Sequence, residues 1–187
     1  MALLAGDALL AKAFEAVFSG AGCPEDALAS AQAGRLLAQL AGSDGMVGGQ
    51  VIDLLSEEKQ AGVDVLRKMD EGKTVALISA ACQMGCIAAG APTEYLAAAK
   101  RYADGIGLAF QITDDILDVT GTTQELGKTV GSDKENGKST YVSLLGIEKA
   151  RELAGQLTRQ AVEALACFGE NGTLLADLAM ALAERKK

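Results

Sequence analysis

The sequence contains no histidine, and this absence removes two common kinds of chemistry. Histidine is the side chain that most often exchanges protons near neutral pH, and it is the commonest ligand of transition metals. A function that depends on a histidine base or on an imidazole metal site is therefore excluded for these 187 residues.

Proline is scarce as well, with two residues, whereas alanine, leucine and the 22 glycines are abundant. Valine and isoleucine are sparse outside short stretches, and no convincing alternation of apolar and polar residues indicates a strand. The composition predicts a mostly helical protein. A length of 187 residues suits one domain, 1–187, with a sizeable core.

Basic residues are outnumbered by acidic ones, which gives a net charge of −8. A negative chain without a basic patch argues against a nucleic acid partner. The first residues lack the basic segment of a signal peptide. The longest uncharged run, Thr74 to Thr93, has few large aliphatic side chains, so it is predicted to be a buried core helix and not a membrane span. We expect a cytoplasmic protein.

Cysteine is also infrequent, and its spacing does not indicate a metal site. Cys82 and Cys86 share a helical face, but neither a second cysteine pair nor a histidine accompanies them. We expect the four cysteines to be small buried residues in a reducing compartment; they are Cys23, Cys82, Cys86 and Cys167.

The helical periodicity and its Gly and Pro punctuation divide the chain into successive helices. The predicted helices are Ala2 to Phe18, Glu25 to Leu40, Asp44 to Leu55, Val63 to Met69, a core helix from Thr74, Glu94 to about Val119, Thr140 to Phe168, and Leu174 to the end. The glycine-rich stretch Thr120 to Ser139 is predicted to be a loop, and loops of this length are often lids or binding elements.

The segment FQITDDILD, Phe110 to Asp118, is the most informative part of the chain. On a helix, Gln111, Asp114, Asp115 and Asp118 project from one face. Carboxylates on adjacent turns repel one another unless a cation lies between them. Oxygen ligands suit Mg²⁺, which typically takes one or two carboxylates together with substrate phosphates. The segment therefore predicts a Mg²⁺ site.

An acidic, solvated surface stripe is the alternative interpretation of this segment. A solvated face normally intersperses basic residues, and none occurs between Tyr102 and Glu125. The cluster also lies at the carboxyl end of its predicted helix, where the helix dipole disfavours negative charge. Both observations favour a bound cation.

The tripeptide Gly-Lys-Thr/Ser occurs three times, at Gly72-Lys73-Thr74, Gly127-Lys128-Thr129 and Gly137-Lys138-Ser139. None is a nucleotide-binding P-loop, because the required earlier glycine and the preceding strand are missing. Lysine, hydroxyl and open backbone amide groups still suit a phosphate, and Lys73-Thr74 opens a predicted helix, where anions are favoured. A calcium loop at Asp133 to Gly137 is rejected, because the oxygen spacing is wrong. With the carboxylate face, these tripeptides indicate a diphosphate ligand.

These motifs resemble those of the trans-isoprenyl diphosphate synthases, especially the bacterial farnesyl and geranylgeranyl types. FQITDDILD resembles the family's second aspartate-rich motif, and Gly72-Lys73-Thr74 resembles its allylic-diphosphate lysine–threonine pair. Leu126 to Tyr141 resembles the lysine-bearing segment that follows, and Leu3 to Leu9 resembles the helix after the first aspartate-rich motif. The resemblance implies an all-α, antiparallel helical bundle around a central cavity.

The resemblance also implies a role for individual residues. Asp114, Asp115 and Asp118 are similar to the Mg²⁺ ligands of the second motif. Phe110 is similar to the aromatic residue beside the isopentenyl group, and Asp133 to a residue that orders the loop. Lys73, Lys128 and Asp114 are the expected catalytic residues, and the expected ligands of the allylic diphosphate are Lys73, Thr74, Gln111, Lys128 and Lys138.

In the family, ionisation of an allylic diphosphate, assisted by Mg²⁺, is followed by attack of isopentenyl diphosphate. The resemblance begins after the family's first aspartate-rich motif, so we expect an N-terminally incomplete bundle. We expect weak binding of Mg²⁺–diphosphate and negligible turnover by this chain, in contrast to an upstream-extended version. The alternative is a non-catalytic, diphosphate-binding or subunit-like protein. The resemblance further implies a homodimer, with Ala11 to Leu55 as the expected interface.

Overall fold

The computed structural model describes residues 1–20, 22, 24–56, 61–121 and 138–185. Within these ranges the regular structure is entirely helical, which confirms the predicted fold class. The elements are α1 (Ala2–Phe18), α2 (Pro24–Ala41), α3 (Met46–Ser56), α4 (Val63–Asp70), a π-helical turn (Glu71–Val75), α5 (Ala76–Ala88), α6 (Thr93–Thr120), α7 (Tyr141–Leu145), α8 (Ile147–Ala164), a 3₁₀ segment (Leu165–Gly172) and α9 (Thr173–Glu184).

The 28-residue helix α6 is the centre of the bundle. It packs most extensively against α8 and also against α5, to which it is joined by the short turn 89–92. Gly90 adopts a φ of 63° in this turn, a conformation that glycine accepts without steric cost. A turn this short makes α5 and α6 antiparallel neighbours.

Close packing of α6 on α8 depends on Gly105. A Cβ atom at this position would lie 2.9 Å from the Ala161 side chain and 2.9 Å from the Leu157 carbonyl oxygen. Ala161 is completely buried. The missing side chain of Gly105 therefore sets the distance between the two helices.

Two apolar clusters hold α4, α7, α8 and α9 against α6. The N-terminal half of α6 contributes Tyr102 and Ile106 to a cluster with residues of α8, the 3₁₀ segment and α9. The C-terminal half contributes Ile112 and Ile116 to a cluster with α4, α7 and α8. The second cluster fixes the helices that surround the aspartate-bearing end of α6.

The predicted helices are present with small shifts at their ends, and two of them also differ from the prediction in their internal form. The helix expected from Thr74 begins at Ala76, because a π-helical turn precedes it. The helix expected over Thr140 to Phe168 is divided at Gly146, where φ is 82°, and ends in the 3₁₀ segment. The loop expected over Thr120 to Ser139 falls mainly on residues 122–137, outside the described residues.

Burial differs from the sequence expectation in two respects. The uncharged run from Thr74 is predicted to be a buried core helix, with Thr74 to Ala91 buried, but only one face of it is buried, at Val75, Ala76, Ser79, Ala80 and Ile87. Helix α5 packs against α2 and α6, and its remaining positions are partly or fully accessible. Cys167 is exposed and not buried, whereas Cys82 and Cys86 are partly buried free thiols; Cys23 lies outside the described residues.

Helices α1 to α3 expose an unusual amount of apolar surface. Helix α1 has no buried residue, and the helix that it contacts most is α2. Large apolar side chains are exposed on α1 and α3, including Leu3, Leu4, Leu9, Leu54 and Leu55. Large apolar side chains left exposed in this number on neighbouring segments indicate an interaction face.

Candidate functional site

A cavity of about 310 Å³ lies between α3, α4, the π-helical turn and the C-terminal half of α6. Its walls combine side chains of both charges that are far apart in sequence. The sequence-predicted residues among them are Lys73, Gln111, Asp114, Asp115 and Lys138. The fold therefore brings together the lysines of two separate Gly-Lys-Thr/Ser tripeptides and two carboxylates of the aspartate-rich segment.

The π-helical turn Glu71–Val75 carries the predicted lysine–threonine pair. Such turns are uncommon and often occur at functional sites, because the extra residue redirects nearby side chains. Lys73 Nζ lies 2.5 Å from Oδ2 of Asp53 on α3. Thr74 Oγ1 donates a hydrogen bond of 3.1 Å to Oε1 of Gln111 on α6. The lysine thus connects the turn to one wall of the cavity and the threonine connects it to the other.

The carboxylates of α6 occupy different surroundings, although they share a helical face. Oδ1 of Asp114 lies 2.5 Å from the Arg185 guanidinium. Oδ2 of Asp115 accepts a hydrogen bond of 2.7 Å from the backbone N–H of Tyr141. Asp118, one turn further on, is only 3% exposed and does not line the cavity. Each of the three has further interactions. Asp114 and Asp115 are therefore the pair that faces the cavity.

Arg185 is a member of the site that the sequence analysis missed. Its guanidinium carbon lies 3.7 Å from the centre of the Phe110 ring, and Nη2 donates a 3.0 Å hydrogen bond to the Phe110 carbonyl oxygen. Stacking of a guanidinium on an aromatic face adds cation–π attraction to the ion pair with Asp114. The one available signal was a basic residue after the apolar helix α9, which does not specify where the arginine docks.

Two further carboxylates, Asp53 and Asp70, line the cavity and were not predicted. Asp70 is 3% exposed, and burial raises its pKa to about 7, although the Lys73 ammonium opposes this rise. A buried carboxyl without full compensation prefers its neutral form. Their positions in the sequence only weakly indicated that they belong to the site. Asp70 precedes Lys73 by one helical turn, and Asp53 follows a glycine-rich stretch.

The oxygen-rich wall formed by Asp114 and Asp115 fits a hard cation such as Mg²⁺. Mg²⁺ commonly takes one or two protein carboxylates and completes its shell with water and substrate phosphates. Across residues 1–20, 22, 24–56, 61–121 and 138–185, no three acidic or cysteine side chains are arranged to ligate one ion. Two neighbouring carboxylates suit a metal that is shared with an anionic ligand. The ligand role of Asp118 stays a prediction.

The remaining predicted residues fall into two groups. Thr74 and Phe110 are held at the cavity margin by their contacts with Gln111 and Arg185. Lys128 and Asp133 lie outside the described residues. Of the three lysines expected to bind the diphosphate, Lys73 and Lys138 lie in the described part of the chain, and both line the cavity with Asp114 and Asp115.

A second cavity, of about 1030 Å³, lies between α3, the π-helical turn, α6 and α8. No predicted site residue lines it. Its lysines, arginines and acidic residues include the i,i+4 pairs Arg67–Glu71 and Lys100–Asp104, whose side chains are largely exposed. Exposed pairs of this kind contribute little energy. The smaller cavity is therefore the better candidate for chemistry.

Comparison with known proteins identifies the family of this chain. The model of the polyprenyl synthetase family matches residues 1–168. Geranylgeranyl pyrophosphate synthase 3 of Arabidopsis thaliana is 45% identical in an alignment 174 positions long, which covers 90% of this chain and 48% of that protein. The farnesyl diphosphate synthase of Escherichia coli is 42% identical in an alignment 194 positions long, gaps included, which covers 100% of this chain and 64% of that enzyme.

A solved structure shows the same fold. The geranyltransferase of Helicobacter pylori, crystallised with magnesium and isoprenyl diphosphate, superposes with a TM-score of 0.79 at 33% identity. The match covers 97% of this chain and 58% of the geranyltransferase. The chain spans about half the length of the plant relatives that it matches.

None of the helices within the described ranges is long and apolar enough to cross a membrane. The prediction that the uncharged run Thr74 to Thr93 is not a membrane span agrees with this finding. The cytoplasmic location stays a prediction.

Proposed function

Since this chain belongs to the polyprenyl synthetase family, we propose that it binds the diphosphate group of an isoprenyl substrate, together with Mg²⁺, in the 310 Å³ cavity. The proposed reaction is the condensation of an allylic diphosphate with isopentenyl diphosphate. The observation that carries the proposal is the meeting of Lys73 and Lys138 with Asp114 and Asp115 around one cavity. The names of the plant and bacterial relatives support the substrate class.

The charges in the cavity suit the two ends of a metal–diphosphate complex. The lysine ammonium groups of Lys73 and Lys138 are point charges that attract phosphate oxygens. The carboxylates of Asp114 and Asp115 would hold Mg²⁺, which would supply positive charge to the same diphosphate. The Gln111 amide, held by Thr74, offers N–H groups to an oxygen of the ligand. Phe110, Lys128 and Asp118 remain predicted members of the site.

Bound Mg²⁺ supplies positive charge that stabilises the departing diphosphate. The ammonium groups of Lys73 and Lys138 would stabilise the same negative charge. The folded protein already places them where this charge develops during the reaction. The proposed carbon–carbon bond formation requires no histidine, since a proton can pass to the released diphosphate. This agrees with the composition of the chain.

Titration with inorganic pyrophosphate tests the binding half of the proposal. We expect calorimetry to show binding that strengthens with Mg²⁺ and weakens by about tenfold in the Asp114→Asn/Asp115→Asn double variant. The control is Asp104→Asn, which removes a carboxylate from α6 on the side of the larger cavity. Equal affinity in the wild type and the double variant would place the diphosphate elsewhere.

Turnover is a separate question, which labelled isopentenyl diphosphate and an allylic diphosphate can answer. We propose that this chain binds the diphosphate but condenses the two substrates very slowly. Binding with no product at all favours the alternative, a non-catalytic diphosphate-binding or subunit-like protein. Rapid turnover would show that the described cavity together with the rest of the chain is a complete site.

We also propose that two copies of the chain associate through α1 to α3. The exposed leucines of α1 and α3 supply apolar surface that association would remove from water. Light scattering should give about twice the chain mass of 19.1 kDa. Leu55→Asp on α3 should shift the mass to that of the monomer, whereas Leu174→Asp, at an even more exposed leucine on α9, should not. A monomeric wild type would refute the association.

A further inference from the structure

A backbone contact between two glycines sets the position of Lys73. Helix α3 and the π-helical turn meet at Gly49 and Gly72, where a Cβ atom on Gly72 would lie 2.8 Å from the Gly49 Cα atom. A Cβ atom on Gly49 would overlap the backbone nitrogen of Lys73. Any side chain at either glycine would therefore separate the two segments. Glycine allows the backbones to touch.

The glycine contact brings Asp53 to Lys73. Asp53 follows Gly49 by one helical turn, and Lys73 follows Gly72 directly, so both side chains emerge beside the contact. Asp53 Oδ2 and Lys73 Nζ are 2.5 Å apart. The aspartate side chain is 11% exposed and that of the lysine is 37% exposed. The aspartate is therefore fixed within the protein, while the ammonium reaches the cavity.

We propose that Asp53 is a positioning residue for Lys73: its carboxylate, fixed by the Gly49–Gly72 contact, holds the ammonium at the cavity wall where it meets an anionic ligand. This inference rests on the proposed function, because it assigns the diphosphate to Lys73. An ammonium group has three N–H donors. One is directed to Asp53, and the others remain available to the cavity.

The surroundings of the pair explain why positioning matters here. A lysine side chain has four rotatable bonds, and restricting them when a ligand binds costs conformational entropy. Asp53 restricts them in the folded protein before a ligand arrives. The neighbouring Asp70 is a weaker competitor for Lys73 at neutral pH, because burial raises its pKa to about 7. The hydrogen-bonded partner of the ammonium is Asp53.

Positioning and simple electrostatics predict opposite results when Asp53 is neutralised. Loss of one negative charge near the cavity favours an anionic ligand through Coulomb attraction alone. Loss of the group that holds Lys73 disfavours the same ligand. Asp53→Glu keeps the charge but lengthens the side chain by one methylene, so it moves the ammonium without changing the local charge.

The experiment is a thermodynamic cycle with inorganic pyrophosphate, measured by calorimetry at constant Mg²⁺. The proteins are the wild type, Asp53→Asn, Asp53→Glu, Lys73→Ala and the Asp53→Asn/Lys73→Ala double variant. The matched control for charge is Asp64→Asn, an exposed aspartate on α4. Far-UV circular dichroism verifies that each variant retains its helical content, and the charge-conserving Asp53→Glu serves if Asp53→Asn does not fold.

We expect both Asp53 variants to weaken pyrophosphate binding by about threefold to tenfold. In the Lys73→Ala background, Asp53→Asn should have no further weakening effect, because the lysine on which it acts is gone. Unchanged or tighter binding in both Asp53 variants, with weaker binding in Lys73→Ala, would overturn the positioning role alone. Unchanged binding in Lys73→Ala would instead overturn the assignment of the diphosphate to Lys73, and with it this inference.

Discussion

Replacing Asp70 with asparagine removes a buried carboxyl group that titrates near neutral pH. Asp70 is 3% exposed, and burial raises its pKa from 3.8 to about 7. Because the folded protein holds this proton more tightly than the unfolded chain, the stabilising contribution is complete below about pH 4 and is lost as the pH rises through 7. One pKa unit corresponds to about 1.4 kcal/mol, so ionisation of folded Asp70 costs about 4 kcal/mol above pH 7.

Asparagine has nearly the same shape as the protonated carboxyl and cannot ionise. The free energy of unfolding of Asp70→Asn should therefore rise relative to that of the wild type by about 2–3 kcal/mol between pH 5 and pH 8. Urea unfolding followed by far-UV circular dichroism is the suitable assay, because the chain has no tryptophan for fluorescence. Asp64→Asn on the same helix, at an exposed position, controls for the change in charge.

The decisive comparison is the difference between the two proteins at each pH, and not the stability of either one. Other carboxylates also make stability depend on pH, but they are common to both proteins and cancel. Parallel stability profiles for Asp70→Asn and the wild type would show that Asp70 does not titrate near neutral pH in the folded protein. The account of its burial beside Lys73 would then be wrong.

Three other substitutions test the packing and the site. Ile112→Ala should lower the free energy of unfolding by about 3 kcal/mol, because this side chain is 1% exposed in the core; a loss below about 1 kcal/mol would contradict its burial. Gly105→Ala should cost about 1–3 kcal/mol, because the new methyl group collides with Leu157 and Ala161 of α8. The control Gly155→Ala, on α8 itself, should stabilise that helix slightly, because the nearest atom to its methyl group is Arg159 Nη1, at an ordinary contact distance of 3.5 Å; urea midpoints separate the two. Arg185→Gln should cost about 1 kcal/mol through loss of its bonds to Asp114 and the Phe110 carbonyl oxygen, and this cost should shrink when Asp114→Asn is already present.

Features that depend on short stretches of sequence could be predicted without the structure. The bounds of α1 and the extent of α6 follow from periodicity and flanking residues, and the sequence was sufficient to predict them. The chemistry of the aspartate-rich segment was also readable, because the acidic residues and their helical spacing lie within nine consecutive positions. The repeated Gly-Lys-Thr/Ser tripeptides likewise indicated phosphate from local composition.

The π-helical turn at Glu71–Val75 was not predictable from periodicity. A π-turn contains one residue more than an α-helical turn, and tertiary contacts stabilise it. Here those contacts include the approach of Gly49 to Gly72 and the hydrogen bond between Thr74 and Gln111. The sequence predicted that Lys73 and Thr74 open a helix, whereas the fold decided which walls of the cavity they touch.

The sequence by itself determined the helical class, the order of the helices and the residue types that suit Mg²⁺ and diphosphate. Tertiary structure decided which of those residues share an environment. It separated the buried Asp118 from Asp114 and Asp115, and it added Arg185 and Asp53 from distant segments. The physical reason is that helix periodicity depends on neighbours within two turns, whereas burial, ion pairing and cavity shape depend on how whole helices pack.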